Sequence, residues 1–309
     1  MASSMAITRR NKLGKIATIG FFDGVHGGHR FLFEHLREEG AQRGLDPLIV
    51  TFDTHPRAVL QSDYVPQLLT SLEERKTLLS AFGEVKILPF ADIQGLTAAE
   101  FMAQLKDEYD VQVLLMGYDH RFGSDRLQHP QDYRRIGESI GVEVLTMPEY
   151  TEGEWHVSST EIRTALETGN VAVANELLGR PYSLCGTVVH GVGLGHTIGF
   201  PTANIKPLDP HKIIPRTGVY VASVNTPSMD NAPAFLYIGT NPTRNRSDVT
   251  SHPSEVFIEV HIPSFRGDLY GRTLEIRFMR LLREEKRFNS LEELKAQIKA
   301  DIDSTLRQV

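Results

Sequence analysis

The chain has 309 residues, of which 40% are hydrophobic and 23% charged, and its formal net charge is −6. This length exceeds one ordinary hydrophobic core and predicts about two domains of globular composition. The charge disfavours a nucleic-acid partner, since phosphate neutralisation needs a clustered basic surface, and the single cysteine, Cys185, excludes an internal disulfide and a cysteine-based zinc site.

The N-terminal segment is basic, with Arg9, Arg10, Lys12 and Lys15, but it has no apolar stretch. Nowhere in the chain does an apolar run reach the roughly 18 residues that a membrane span requires. We therefore expect a cytoplasmic protein without a membrane partner. We also expect a monomer or a weak homo-oligomer.

Up to about residue 179, short apolar runs alternate with helical patterns. The candidate strands are Ile16–Ile19, Pro47–Phe52, Val85–Leu88, Val111–Met116 and Val142–Met147. Helices are predicted over His29–Arg43, over Leu72–Phe82, and from a capping pair at Thr97 and Glu100 as far as Glu108. This alternation predicts an α/β unit with a doubly wound parallel sheet, which binds its ligands at the carboxyl ends of the strands.

The segment Gly20–His29 joins a glycine turn to two histidines, directly after the first predicted strand and before the first helix. Free backbone N–H groups and the positive end of the helix dipole therefore face the loop. His26 and His29 add donors for phosphate oxygens that gain negative charge in a transition state. The pattern predicts a phosphate site; the alternative is a turn whose histidines only cap the helix.

Three further motifs of this half carry polar side chains. Val157–Arg163 places hydroxyl groups at a helix start with an arginine one turn later, which suits a simple cap or a phosphate clamp. Thr51–Pro56 and Met116–Gly123 end the second and fourth strands, where ligands are expected. The alternative for the His55–Pro56 pair is an ordinary turn before proline.

From Cys185 onward, strand candidates are separated by turn residues, which predicts an antiparallel barrel or sandwich. The candidate strands are Gly186–Val189, Val219–Val224, Ala234–Ile238, Glu255–Ile262 and Leu274–Met279. A final amphipathic helix over Leu291–Leu306, capped by Ser290 and Glu293, is expected to cover the barrel. Because a helix ends in glycine and then proline at Gly179–Pro181, we place domains at 1–182 and 183–309.

The segment Gly191–Asn204 is rich in glycine and superficially resembles a dinucleotide-binding loop. Pro201 interrupts the helix that such a loop requires. A glycine flap over phosphates is the better interpretation, followed by Thr202 and Asn204 as neutral oxygen ligands for Mg²⁺. A Thr-x-Asn sequence by itself is usually a turn.

The strand Glu255–Ile262 alternates apolar residues with a second face that includes Glu259. A glutamate there is able to act as general base for a substrate hydroxyl, although an isolated glutamate is more often a solvated edge carboxylate. Glu259 precedes the turn Asp268–Gly271, of sequence Asp-Leu-Tyr-Gly.

Four motifs together resemble the prokaryotic bifunctional riboflavin kinase/FAD synthetase family, over Gly20 to about Asp301. They are the His-x-Gly-His motif at His26–His29, the Ser-Ser-Thr-x-Ile-Arg-like segment 158–163, Gly-Phe-Pro-Thr-Ala-Asn at 199–204, and Glu259 before Asp-Leu-Tyr-Gly. The resemblance implies an FMN adenylyltransferase domain followed by a six-stranded Greek-key barrel that phosphorylates riboflavin. Substrates would be riboflavin, FMN and ATP, with Mg²⁺.

The same resemblance implies roles for individual residues. His26, His29 and Glu259 would be catalytic, Thr202 and Asn204 would bind Mg²⁺, and His55 and Pro56 would contact the flavin. Nucleotide or phosphate contacts would come from Phe22, Asp23, Gly24, Asp119, Ser159, Thr160, Arg163, Gly195, Gly199 and Pro201.

The chain departs from the family pattern at several positions. His120 stands where phenylalanine is common, His196 where the flap usually has arginine, Arg244 where an aromatic is usual, and Pro263–Ser264 where Leu-Asp is usual. We expect altered affinity for flavin or nucleotide rather than lost activity. The alternative function is an FMN adenylyltransferase whose kinase module is weakened or silent and acts as a flavin-binding regulator.

Overall fold

The computed structural model describes residues 14–148, 151–152, 155–191, 194–240, 256–263 and 265–306. The chain divides into two compact units. The first comprises the described residues of Met1–Pro66 and Leu72–His156, and the second those of Gln67–Ser71 and Val157–Val309. Arg244 and Ser264 lie outside the described residues.

The first unit is built on a parallel sheet of five strands in the order β3-β2-β1-β4-β5, which confirms the predicted fold class. The strands are β1 (Lys15–Ile19), β2 (Asp46–Phe52), β3 (Glu84–Leu88), β4 (Val111–Met116) and β5 (Glu143–Thr146). The central strand β1 pairs with β2 on one side and with β4 on the other, so the strand order reverses beside β1. The carboxyl ends of β1 and β4 therefore form the switch point at which such sheets bind ligands.

Helices cover both faces of this sheet. They are α1 (Gly27–Arg43), α2 (Pro56–Leu60), α3 (Leu72–Leu79), α4 (Phe90–Ile93), α5 (Ala98–Tyr109) and α6 (Pro130–Ile140). A two-stranded ribbon, β6 (Thr151–Glu152) with β7 (Trp155–His156), follows β5. On one face Phe33 of α1 packs with Ile16 and Ile49, and on the other Phe101 of α5 packs with Ala17 and Leu48.

The helix termini follow the predicted signals with small differences. The capping box is present, because Thr97 accepts from the Glu100 N–H and the Glu100 carboxylate accepts from the Thr97 N–H. The helix α3 ends at Leu79, three residues before the predicted end, where the Phe82 N–H closes a turn on the Leu79 carbonyl. No prediction covers α6, although Tyr133, Ile136 and Ile140 recur at helical spacing and pack in the core beside the sheet.

The second unit opens with two helices, α7 (Ser159–Glu167) and α8 (Val171–Leu178), and continues into a closed barrel. The remaining elements are β8 (Tyr182–Val189), α9 (Leu194–Thr197), β9 (Ala203–Pro207), β10 (Gly218–Thr226), β11 (Met229–Thr240), β12 (Val256–His261), β13 (Thr273–Arg283) and α10 (Leu291–Leu306). Six strands close in the order β10-β11-β12-β9-β8-β13. The hairpins β10-β11-β12, with β13 returning beside β10, make a Greek key.

The strand β9 is the element of the barrel that the sequence does not predict. Of its five residues only Ile205 is buried, and it ends at Pro207, so it lacks a strand signature. It joins β8 to β12, and the barrel closes through it. The helix α10 has its predicted bounds, and Arg283 of β13 donates to Asp301 at 2.8 Å, although Leu291 at its start is 48% exposed.

The helix α8 packs on the barrel. It buries Val171, Ala174, Leu177 and Leu178, and it ends at Gly179, whose φ of 63° is left-handed. Asn175 donates to the Phe278 carbonyl at 2.9 Å and accepts from the Tyr182 N–H at 2.7 Å. The domain boundary between residues 182 and 183 stays a prediction. Because α8 contacts the barrel, fragments that begin before and after α8 should be compared.

We expect a fragment of residues 157–309 to be more stable than one of residues 183–309. The shorter fragment loses four buried apolar side chains and the two hydrogen bonds of Asn175, which corresponds to about 3 kcal/mol or more. Urea unfolding of both fragments measures the difference. Equal stabilities would show that α8 is dispensable for the barrel.

Candidate active sites

The phosphate site predicted in the first unit lies at the start of α1. His26 is the residue before the helix, and its side chain makes no capping hydrogen bond, contrary to the capping alternative. The His26 and His29 rings stack with centroids 3.7 Å apart and an angle of 20° between the planes. The first turn of α1 contains no acidic residue. The helix therefore offers backbone N–H groups and two imidazoles to an anion.

The loop that leads from β1 into α1 holds an uncommon backbone conformation. Phe22 has φ 54°, Gly24 φ 82° and Val25 φ 45°. A left-handed φ is unfavourable for a β-branched or bulky side chain, and such strain persists where surrounding contacts fix it. Phe22 is fixed by edge-to-face contacts with His29, at 5.3 Å, and with Phe33, at 4.9 Å. The aromatic contact holds the His29 ring as well as the loop.

A third histidine, His120, lies beside this pair. Burial, with smaller contributions from the imidazoles of His26 and His120, holds the pKa of His29 well below 6.5. Burial lowers the pKa of His120 to about 4, against a weaker opposing effect of Asp119. Both rings are therefore neutral at pH 7 when no anion is bound. Asp119 itself is exposed in the turn after β4.

The depressed pKa of His120 predicts acid destabilisation. An unfolded chain binds the proton below pH 6.5 and the folded chain only near pH 4, so stability falls as the pH drops through this window. The loss is about 1–3 kcal/mol for this group. We expect His120→Phe to flatten the decline of the unfolding free energy between pH 7.5 and 5, measured by urea titration. An unchanged pH slope would contradict this assignment.

His55 lies at the end of β2, at the same edge of the sheet. Its Nδ1 accepts from the Arg57 N–H at 3.1 Å as the cap of α2, and its ring contacts Phe21 at 4.7 Å and Tyr64 at 5.3 Å. The buried guanidinium of Arg75 lies 3.9 Å from the Phe21 ring centroid. Sequence patterns gave no sign of Arg75, because nothing in α3 distinguishes it from an exposed helix charge. A flavin role for His55 and Pro56 stays a prediction.

The hydroxyl motif at 158–163 belongs to the second unit, where it starts α7. The Ser158 hydroxyl caps the helix by accepting from the Glu161 N–H at 3.3 Å. Arg163 donates through Nε to the Gln67 carbonyl at 2.7 Å. The cap is thus real, and phosphate contacts from Ser159, Thr160 and Arg163 stay a prediction.

In the barrel, the structure brings Thr202, Asn204 and Glu259 together. The Thr202 hydroxyl donates to Glu259 Oε2 at 3.1 Å. Asn204 on β9 is the register partner of Glu259 on β12. Glu259 is half-buried between the buried Ile258 and Val260, as the alternation predicts. The carboxylate is therefore fixed beside neutral oxygen groups rather than free at an edge.

The sequence missed two side chains around Glu259. Tyr237 of β11 is the register partner of Glu259, and its hydroxyl donates to Glu285. Burial and that hydrogen bond raise the pKa of Tyr237, with a further contribution from Glu259. His261 of β12 is buried, and its Nδ1 lies 2.8 Å from the Pro201 carbonyl. This contact ties β12 to the segment that carries Thr202.

The glycine segment ahead of β9 is closely packed. A Cβ on Gly195 would lie 2.5 Å from the Phe200 carbonyl and 2.9 Å from Thr202 Oγ1, and Gly199 has φ 86°. The helix α9 in this segment spans four residues, so the dinucleotide-loop interpretation is excluded, as expected. The side chain of His196 lies outside what the structure describes.

Comparisons with known proteins match both halves of the chain. A family model described as FAD synthetase matches residues 8–161, and one described as riboflavin kinase matches residues 178–309. The bifunctional riboflavin kinase/FMN adenylyltransferase of Escherichia coli (strain K12) is 38% identical over 292 residues, which cover 93% of this chain and 90% of that relative. The chain belongs to the bifunctional riboflavin kinase/FMN adenylyltransferase family.

Two further known proteins are similar to this chain over almost its whole length. The bifunctional riboflavin kinase/FMN adenylyltransferase of Bacillus subtilis (strain 168) is 32% identical over 311 residues, 97% of this chain and 94% of the relative. A solved structure described as a macrolide-efflux protein from Streptococcus pneumoniae is 32% identical with a TM-score of 0.84, covering 94% of this chain and 93% of that one. Among the described residues, every helix is too short or too polar to cross a bilayer.

Activities of the riboflavin kinase/FMN adenylyltransferase family use ATP and generally a divalent metal. The barrel site fits such a cation, because a Thr hydroxyl and an Asn amide beside a carboxylate are hard oxygen donors. A Cβ on Gly191 would lie 2.0 Å from Asn204 Nδ2. Any larger residue at position 191 would therefore displace the Asn204 side chain.

Proposed function

We propose that the chain makes FAD in two steps, phosphorylating riboflavin to FMN at the barrel and transferring the adenylyl group of a second ATP to FMN at the first unit. The presence of both family matches in one chain carries this conclusion. The Thr202–Glu259 hydrogen bond and the stacked histidines at the start of α1 support the two sites separately. We also propose a cytoplasmic protein, monomeric or weakly self-associating.

In the kinase step, Glu259 accepts the proton of the riboflavin 5′-hydroxyl as the oxygen attacks the γ-phosphorus and ADP leaves. The Thr202 hydroxyl orients the carboxylate through its hydrogen bond. Thr202 and Asn204 are our proposed Mg²⁺ ligands, and the ion neutralises phosphate charge when bound. Gly195, Gly199 and Pro201 approach the nucleotide phosphates with backbone groups.

In the adenylyl transfer step, an FMN phosphate oxygen attacks the α-phosphorus of ATP and pyrophosphate leaves. His26, His29 and the backbone N–H groups at the start of α1 donate to the phosphate oxygens, which gain charge in the transition state. Phe22, Asp23 and Gly24 shape the loop, and we assign nucleotide contacts to Asp119. His55 and Pro56 are assigned to the flavin.

The test supplies riboflavin, ATP and Mg²⁺ to the full chain and follows FMN, FAD, ADP and pyrophosphate. We expect FMN to appear first and FAD to follow, with ADP and pyrophosphate released in the respective steps. Formation of FAD from supplied FMN, without any phosphorylation of riboflavin, would replace the proposal by an adenylyltransferase with a silent, flavin-binding barrel. In that case the first variants to test would replace His196 and Pro263 with the residues that are usual in the family.

A further inference from the structure

The loop that follows β4 carries the partly buried imidazole of His120, which the adenylyl transfer step above does not use. Nε2 of His120 is buried and has no hydrogen-bond partner among the described residues, and the same holds for Nδ1 of His29. A buried nitrogen without a hydrogen-bond partner destabilises the ligand-free protein. Two such atoms, on imidazoles whose charges interact, indicate a site for a polar ligand.

His120 lies near the start of α1, as its contacts around Gly117 show. A Cβ on Gly117 would lie 3.8 Å from His120 Cβ and 4.0 Å from Leu32 Cδ2, so the two side chains flank the same glycine. Leu32 lies one turn after His29 on α1. The His29 and His120 rings are also close enough for their charges to interact.

The loop that holds His120 is fixed rather than adaptable. The Tyr133 hydroxyl accepts from the Phe122 N–H at 3.0 Å and donates to the Phe122 carbonyl at 2.8 Å. The Asp125 carboxylate accepts from the Ala98 N–H at 3.0 Å, which anchors the far end of the loop to α5. Groups held in place by buried partners are preorganised for a ligand.

We propose that His120 is a third imidazole donor to the phosphates at the adenylyl transfer site, and that it takes up a proton when the anion binds. This inference rests on the proposed function of that site. A neutral imidazole donates one hydrogen bond, and a nearby phosphate favours the doubly protonated form. Among the described residues, the titratable groups that interact with His120 are His29 at the start of α1 and Asp119 of the same loop.

The test uses pyrophosphate, the product of the proposed transfer, as its probe. Calorimetric titration of the full chain at pH 7 in buffers of different ionisation enthalpy gives both affinity and the number of protons taken up. For the wild-type chain we expect net proton uptake. For His120→Phe we expect about tenfold weaker binding, the scale of one lost hydrogen bond, and reduced uptake. The matched control is His35→Phe. It replaces an imidazole of α1 that is hydrogen-bonded to the Phe31 carbonyl.

A second variant separates chemistry from packing. His120→Asn keeps a hydrogen-bond donor but does not titrate, so we expect it to retain more affinity than His120→Phe while losing the proton uptake. Wild-type affinity and uptake in both variants would overturn the role of His120 and leave adenylyl transfer intact. Absence of both pyrophosphate binding and FAD synthesis in the wild-type chain would instead overturn the proposed function itself, and this inference with it.

Discussion

Replacing Glu259 with glutamine lowers riboflavin phosphorylation by a factor on the order of 10² to 10⁴, the expected loss of a general base. Glutamine keeps the size of the side chain and an acceptor for the Thr202 hydroxyl, but it does not accept the substrate proton. The loss should therefore appear in kcat, with riboflavin affinity nearly unchanged. Steady-state kinetics of FMN formation measure both.

Two controls accompany this prediction. FAD synthesis from supplied FMN should proceed at the wild-type rate in Glu259→Gln, because the transferase site uses other residues. Glu275→Gln changes a half-buried barrel carboxylate that accepts from Asn225 and Arg277, and it should leave kinase turnover near wild type. Wild-type turnover in Glu259→Gln would remove Glu259 from the mechanism and favour proton transfer to the nucleotide phosphate.

Replacing His29 with alanine lowers FAD formation by about 10²-fold or more, the scale for losing one transition-state donor. The variant removes one ring of the stacked pair and the edge contact with Phe22. Phosphorylation of riboflavin should be unaffected. FAD formation from FMN and ATP, followed in parallel with FMN formation from riboflavin, measures the two activities on one preparation.

The matched control is His35→Ala, which removes another imidazole from α1 outside the phosphate site. It should leave FAD formation near the wild-type rate. Equal loss of both activities in His29→Ala would indicate misfolding, and circular dichroism of the variant distinguishes that case. Loss in His35→Ala as large as in His29→Ala would show that the effect comes from α1 stability rather than from phosphate contacts.

Much of the fold was predictable because its signals are local. The strand β4 has its predicted bounds, since an apolar run broken only by the exposed Gln112 leaves little ambiguity. The box at Thr97 and Glu100 fixes the start of α5 within four residues of sequence. The strand β9 escaped prediction because it has one buried residue and ends at proline, and because its partner β12 is remote in sequence.

The site residues also fall into those with a local sequence signal and those that depend on tertiary contacts. His26, His29, Thr202 and Glu259 were proposed from motifs, and the structure brings His26 to His29 and Thr202 to Glu259. Tyr237, Arg75 and the placement of His120 were not predictable, because each depends on contacts between separate elements. A tyrosine in a strand resembles any core aromatic until its register partner is known.

The closed barrel of the second unit has consequences for how the protein associates. Among the strands that the structure describes there, closure leaves none with an unpaired edge, whereas the parallel sheet ends in β3 and β5. Both edge strands are short, with five and four residues, and they carry Glu84, Lys86 and Glu143. Charged, short edges oppose the strand addition through which sheets aggregate. Continuous sheets between copies are therefore disfavoured, and self-association at high concentration would have to use side-chain surfaces.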